Sequence, residues 1–199
     1  IAAQVDALDP EARRVLRYAT VLGRRFGRRG LDALLEAEGL RVDEPVLARL
    51  GDFLEREGED QLRFRIGLLR KTIYEGLAYR LRLQLHRKAG EALERMAADP
   101  AAIADNLAMH FSIAGDYERT WRYARQAAER AARAYANADA ARFYLMALEA
   151  ARRLPDADIQ ERIQAWVARG TVCRLAGLFD DELNADREAY RLAEGDPLR

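Results

Sequence analysis

The sequence predicts an all-α protein in two parts: an N-terminal helical bundle carrying a small β-element, then a C-terminal array of helical repeats. Three observations carry that prediction. Between the prolines and glycines, apolar residues recur every 3 or 4 positions; the period falls to 2 in one stretch, around residues 61–66; and from Ala101 onward small and aromatic residues recur at corresponding places.

The first helix has Asp9 as a natural N-cap with Pro10 at its first position, and Ala12, Val15, Leu16, Ala19 and Leu22 line one face before Gly23. A second, shorter helix carries Leu31, Leu34 and Leu35 and stops at Gly39. A third is capped by Asp43, carries Pro45 in its first turn, and buries Val46, Leu47, Leu50, Phe53 and Leu54 before Gly58. Then Leu62, Phe64 and Ile66 alternate with Gln61, Arg63 and Arg65, the one strand-like stretch. Three short helices followed by a small β-element is the order of a winged helix, placed over residues 1–78. The helical period resumes with Leu68, Leu69, Thr72, Ile73 and Leu77. A connecting helix through Leu81, Leu85, Ala89 and Leu93 fills 79–100 and stops near Asp99 and Pro100.

Residues 101–199 read as about three tetratricopeptide-like units of about 34 residues, the last one incomplete. Leu107, Ala108, Phe111, Gly115, Asp116, Tyr117 and Ala127 fit the consensus of one unit, and Trp166, Gly170, Gly177, Phe179 and Ala189 fit another. Between them Ala140, Tyr144, Ala147 and Leu148 supply the second half of a degenerate unit, whose first half is the helix Tyr117–Ala134, shared with the unit before it. Small side chains let paired helices approach closely and aromatics fill the hole each pair leaves for the next. In such an array the concave surface is lined by outward positions of each first helix, which map to Asp105, Met109 and Ser112 and to Gln164, Thr171 and Arg174.

Composition narrows the function. With 33 basic and 33 acidic residues the charges cancel, so a nucleic-acid or membrane partner would need a local patch. Cys173 is the only cysteine, which rules out an internal disulfide and fits a reducing, cytoplasmic setting. No apolar run approaches the ~20 residues that span a bilayer, and Ile1 to Asp9 lacks the regions of a signal peptide. The chain opens without a methionine, as expected of a piece of a longer protein.

The runs LDPEARRVL from Leu8 to Leu16, FRIGLLRKTIYEGL from Phe64 to Leu77 and LHRKAGEAL from Leu85 to Leu93 resemble the segment that follows the ATPase core in signal-transduction ATPases with repeats. So do AGDYER from Ala114 and YANADAARFY from Tyr135. In those bacterial regulators a nucleotide-binding domain leads into a winged helix and a tetratricopeptide array, often fused to an adenylate-cyclase or DNA-binding effector. The resemblance implies a regulatory module that relays state between an upstream nucleotide-binding domain and a protein or peptide held by the array. It departs from the family at Ile66, where a histidine usually stands. Isoleucine cannot bond a phosphate, so a nucleotide-sensing role is not expected.

No catalytic residue, cofactor or metal is expected. The phosphate-binding sequence G-x-x-x-x-G-K-[ST] is absent, and His86 and His110, the only histidines, belong to no recognisable triad. His86 reads as a surface or capping residue, His110 as a filler between repeat helices, and Cys173 as an inert packing thiol. One stretch is locally basic: Arg63, Arg65, Arg70, Lys71, Arg80, Arg82, Arg87 and Lys88, with Glu75 the only acid from 61 to 90. Arg80, Arg82 and Arg87 are its candidates for contact with a phosphate or a neighbouring domain. The alternative is a DNA-binding winged-helix fragment of a transcriptional regulator. Against it, the third helix region carries Asp43, Glu44, Asp52 and Glu55 against a single Arg49. Past the last helix, the closing residues Gly195 to Arg199 offer no capping helix, so the open end is expected to self-associate or fray.

Overall fold

Asp9 opens the first long helix as the sequence predicts. Its carboxylate accepts hydrogen bonds from the backbone N–H groups of Glu11 and Ala12 at 3.1 and 3.0 Å, and these donors hold its pKa below the usual carboxylate range. The computed structural model describes residues 2–195; residue 1 and the closing residues 196–199 lie outside the described ones. The chain divides into two compact units, Ile1–Met96 and Ala97–Arg199.

In the first unit, α1 (Ala2–Asp6) and α2 (Pro10–Ala19) lead through a tight turn over Thr20–Leu22 into β1 (Arg25–Gly27). Next come α3 (Arg28–Glu36), α4 (Glu44–Arg49), β2 (Leu54–Arg56), β3 (Gln61–Phe64), α5 (Gly67–Glu75) and α6 (Tyr79–Met96). The sheet is antiparallel in the order β1-β3-β2, with Phe26 opposite Leu62 and Leu54 opposite Phe64. These four side chains form the sheet's buried face, which packs into one core with Val15, Leu16, Leu31 and Leu50. The helix expected as a connector over 79–100 ends at Met96 and packs on α3; Leu85 and Ala89 share a second cluster with Val21, Leu34 and Leu77.

Three expectations are corrected here. The third helix ends at Arg49, because Gly51 and Asp52 lie in a turn; Phe53 and Leu54 are buried as expected, but Leu54 begins a strand. The sheet therefore has three strands rather than one strand-like stretch, and its last strand stops at Phe64, leaving Ile66 exposed at the cap of α5. On α5 Leu69 and Ile73 are buried and Tyr74 packs on the second cluster, while Leu68 and Thr72 point to solvent.

Among the described residues of the second unit five helices pack in sequence: α7 (Ala104–Ala114), α8 (Tyr117–Arg133), α9 (Asn137–Ala151), α10 (Ile159–Leu175) and α11 (Phe179–Ala193). This is a helical repeat-like architecture. Three of its turns close alike. At Gly115, Tyr135 and Gly177 the backbone is left-handed (φ 71°, 58° and 73°), and the next residue's N–H donates five positions back, to the carbonyls of Phe111, Ala131 and Cys173. Glycine takes this conformation freely; Tyr135, 87% exposed, does not. Tyr135→Gly is expected to raise stability by about 1 kcal/mol and Tyr135→Ala by nothing measurable in urea denaturation, because only glycine removes the Cβ clash. An equal gain from alanine would exclude turn strain as the cause.

The three turns stand 20 residues apart (115 to 135) and then 42 (135 to 177), so a uniform 34-residue repeat is not kept. The irregularity centres on α8, which packs against both α7 and α9 and buries Ala124, Ala127 and Ala128 between them. Alanine is required there by close approach on two sides. Ala127→Leu is expected to destabilise by about 1–3 kcal/mol through overpacking, read from thermal melting. An unchanged midpoint would mean that α8 is not squeezed between two helices. Among the described residues no helix is long and apolar enough to cross a membrane.

Candidate interaction site

The outward positions of α7 and α10 were the expected lining of a binding surface. Asp105 is committed within the unit: it pairs with Arg130 of α8 at 2.6 Å, and the same guanidinium donates to the carbonyls of Ala101 and Ala102. Met109 is half-buried. Ser112 is exposed and lines a groove of about 340 Å³ with Tyr117, Thr120, Met146, Glu149 and Arg153. That groove takes in none of the other five expected residues. On α10, Gln164 and Thr171 are exposed, the Thr171 hydroxyl donating to the Val167 carbonyl at 3.1 Å, and Arg174 is exposed but ion-paired with Glu182 at 3.5 Å.

A second groove, of about 530 Å³, escaped the sequence reading. Trp121, Leu154 and Pro155 give it apolar walls, and Glu118, Asp156, Asp158 and Glu161 carry its charge. Arg125 lies over the Trp121 ring, 4.5 Å from its centroid, and pairs with Glu161 at 2.8 Å, tying α8 to the start of α10. The signal available in the sequence was the acidic loop around Pro155 between two helices, with Glu161 in the first turn of α10.

The basic stretch is largely spent on the fold. Across the sheet, Glu57 bridges Arg25 and Arg63 at 3.0 and 2.9 Å, and Glu55 holds Arg63 at 2.7 Å and Arg65 at 3.2 Å. Arg70 donates to the Thr20 carbonyl at 2.9 Å, and burial pushes its pKa down. Lys71 pairs with Glu75 at 3.8 Å, and Lys88 with Glu38 at 2.5 Å. Arg82 packs against the Tyr74 and Tyr79 rings, 5.5 and 5.9 Å from their centroids. Arg80 and Arg87 are exposed on α6. In α4, Arg49 is neutralised by Asp9 at 2.9 Å and Glu11 at 3.3 Å, while Glu44 pairs with Arg28 and Arg56. Most of the basic stretch is thus held by carboxylates, a carbonyl or aromatic rings of its own unit, while Arg80 and Arg87 stand exposed.

The histidines divide. His86 is not at the surface: it is buried on α6, and its Nε2 lies 2.9 Å from the Tyr74 hydroxyl, edge-on to that ring. His110 is buried inside the array as expected, and desolvation pushes its pKa down to about 4. Cys173 is fully buried, with burial pushing its thiol up, away from thiolate chemistry. Among the described residues no group of three or more His, Cys, Asp or Glu is placed to hold a metal ion. Comparisons with family models, with curated proteins and with solved structures gave no match.

Proposed function

We propose that this chain is a non-catalytic regulatory and protein-interaction module of a larger signalling ATPase, with a winged-helix unit and a tetratricopeptide-like array. The observation that carries the reading is the five-helix array. Its core is built from small residues and aromatics, its turns at Gly115 and Gly177 match the turn of that repeat, and its outer surface carries the exposed groove at Ser112. In the first unit, the order α2, β1, α3, α4, β2, β3 is that of a winged helix, and its internally paired arginines favour contact with protein over nucleic acid. The array holds a protein or peptide, the winged helix packs on an upstream nucleotide-binding domain, and the buried single thiol fits a cytoplasmic setting.

Peptides selected from a displayed random library against this chain test the reading. They are expected to lose at least tenfold in affinity on Ser112→Arg, while calorimetry with ATP or ADP gives no micromolar binding. Peptides indifferent to Ser112→Arg and to Gln164→Arg, or a micromolar nucleotide site, overturn it.

A further inference from the structure

The groove between the start of α8 and the loop before α10 has an apolar wall and one sign of charge. Leu154 and Pro155 stand beside the mostly buried Trp121, and every charged residue that lines the groove is acidic. Two of its carboxylates are engaged. Asp158 caps α10, accepting from the N–H groups of Gln160 and Glu161 at 2.6 and 3.2 Å, and Glu161 holds Arg125 at 2.8 Å. Glu118 and Asp156 are exposed, and neither is ion-paired with another described residue. The neighbouring arginines are turned elsewhere: Arg152 and Arg153 line the Ser112 groove, and Arg122 lies over the Tyr123 ring, 5.1 Å from its centroid. Along α8 the surface continues to Glu129, a further exposed carboxylate, and to Gln126, whose Oε1 accepts no hydrogen bond among the described residues.

These features choose the occupant. The carboxylates are spread along the groove, and among the described residues no three are gathered to hold a metal ion, so a row of cations fits better than a single one. Arg125 shows within the molecule how a guanidinium is received here. Its central carbon sits 4.5 Å from the centroid of the Trp121 ring while its N–H groups reach a carboxylate. An incoming arginine has the same two needs, a flat or apolar surface for its methylene stem and a carboxylate for its head, and Leu154 and Pro155 beside Asp156 and Glu118 supply both. A phosphate backbone would be repelled.

We propose that this groove is a docking site for a basic, arginine-bearing peptide segment of a partner protein. The guanidinium groups of the segment pair with Glu118 and Asp156, and its stems and apolar side chains lie on Leu154 and Pro155. The site is separate from the Ser112 groove, so the inference does not depend on what that groove holds.

A fluorescein-labelled peptide alternating arginine with leucine, titrated by anisotropy at about 150 mM salt, tests it on the chain as it stands. A dissociation constant of about 10–100 µM is expected, and a peptide with glutamate in place of arginine is expected not to bind. Combining Glu118→Lys with Asp156→Lys is expected to weaken binding at least tenfold, while Ser112→Arg leaves it unchanged. Lysine in the first turn of α8 opposes the helix dipole, so far-UV circular dichroism accompanies that variant. If it does not fold, Glu118→Gln combined with Asp156→Asn decides, with an expected weakening of about threefold. No binding tighter than about 1 mM, equal binding of the glutamate peptide, or an affinity untouched by the folded carboxylate variants overturns the proposal. A loss on Ser112→Arg as large as that on the carboxylate variants overturns the separateness of the two grooves.

Discussion

Phe64→Ala is expected to cost the N-terminal unit about 3–5 kcal/mol, a large part of what holds a domain of this size folded. Phe64 ends the central strand of the sheet, is fully buried, and sits with its ring centroid 5.9 Å from that of Phe26. Its backbone N–H donates to the Arg24 carbonyl at 2.9 Å, so its position is fixed from the main chain as well as by packing. Nothing nearby can swing in to fill the space, because Leu16, Leu31, Leu35 and Leu50 are themselves fully buried and close-packed. Urea denaturation followed by hydrogen exchange over residues 4–96 reads the loss. A change below about 1 kcal/mol would show that the sheet is peripheral to this core.

The second large effect is pH-driven and belongs to the array. His110 is neutral in the folded chain because burial holds its pKa at about 4, whereas an unfolded histidine titrates near 6.5. The unfolded state therefore binds the proton first as pH falls. Full stability is present above pH ~6.5, is lost progressively down to pH ~4, and levels off below it, with a total loss of roughly 3 kcal/mol. The Asp9 carboxyl, whose pKa is lowered by its amide donors, gives way only below the ordinary carboxylate range, outside that window. Denaturation midpoints at intervals from pH 7.5 to 4 should slope in the parent and flatten in His110→Leu. A parent flat across that range would mean that His110 is solvated in the native state.

These elements were legible to different degrees in the linear sequence, for physical reasons. The cap at Asp9 and Pro10 was visible because it is purely local. Strand β1 was not, since Arg25, Phe26 and Gly27 are too few to show a period, and their pairing with Gln61, Leu62 and Arg63 is a long-range contact. Strand β2 was masked because 46, 47, 50, 53 and 54 continue a helical spacing straight through the turn at Gly51 and Asp52. The ion pairs of the basic stretch were hidden for a similar reason. Its counter-charges Glu38, Glu55 and Glu57 lie before residue 61 and reach it only through the fold. His86 lies on a charged helix, yet its own position faces Tyr74 across the α5–α6 turn. For the candidate site, Ser112 was reachable from repeat register. The Trp121 groove was not, because it depends on α8 serving two neighbours and on the loop after α9 folding back to it.

The proposed function stands or falls on whether the chain binds protein rather than nucleic acid, with Arg25, Arg49, Arg63 and Arg65 already held by carboxylates. Fluorescence anisotropy with a labelled DNA duplex at about 150 mM salt, repeated over a salt series, tests it most directly. No binding tighter than about 100 µM and no salt-dependent slope worth fitting are expected. A dissociation constant near 1 µM that weakens steeply with salt would contradict it, and would mean that phosphates compete successfully with Glu55, Glu57 and Glu11 for the arginines they now hold.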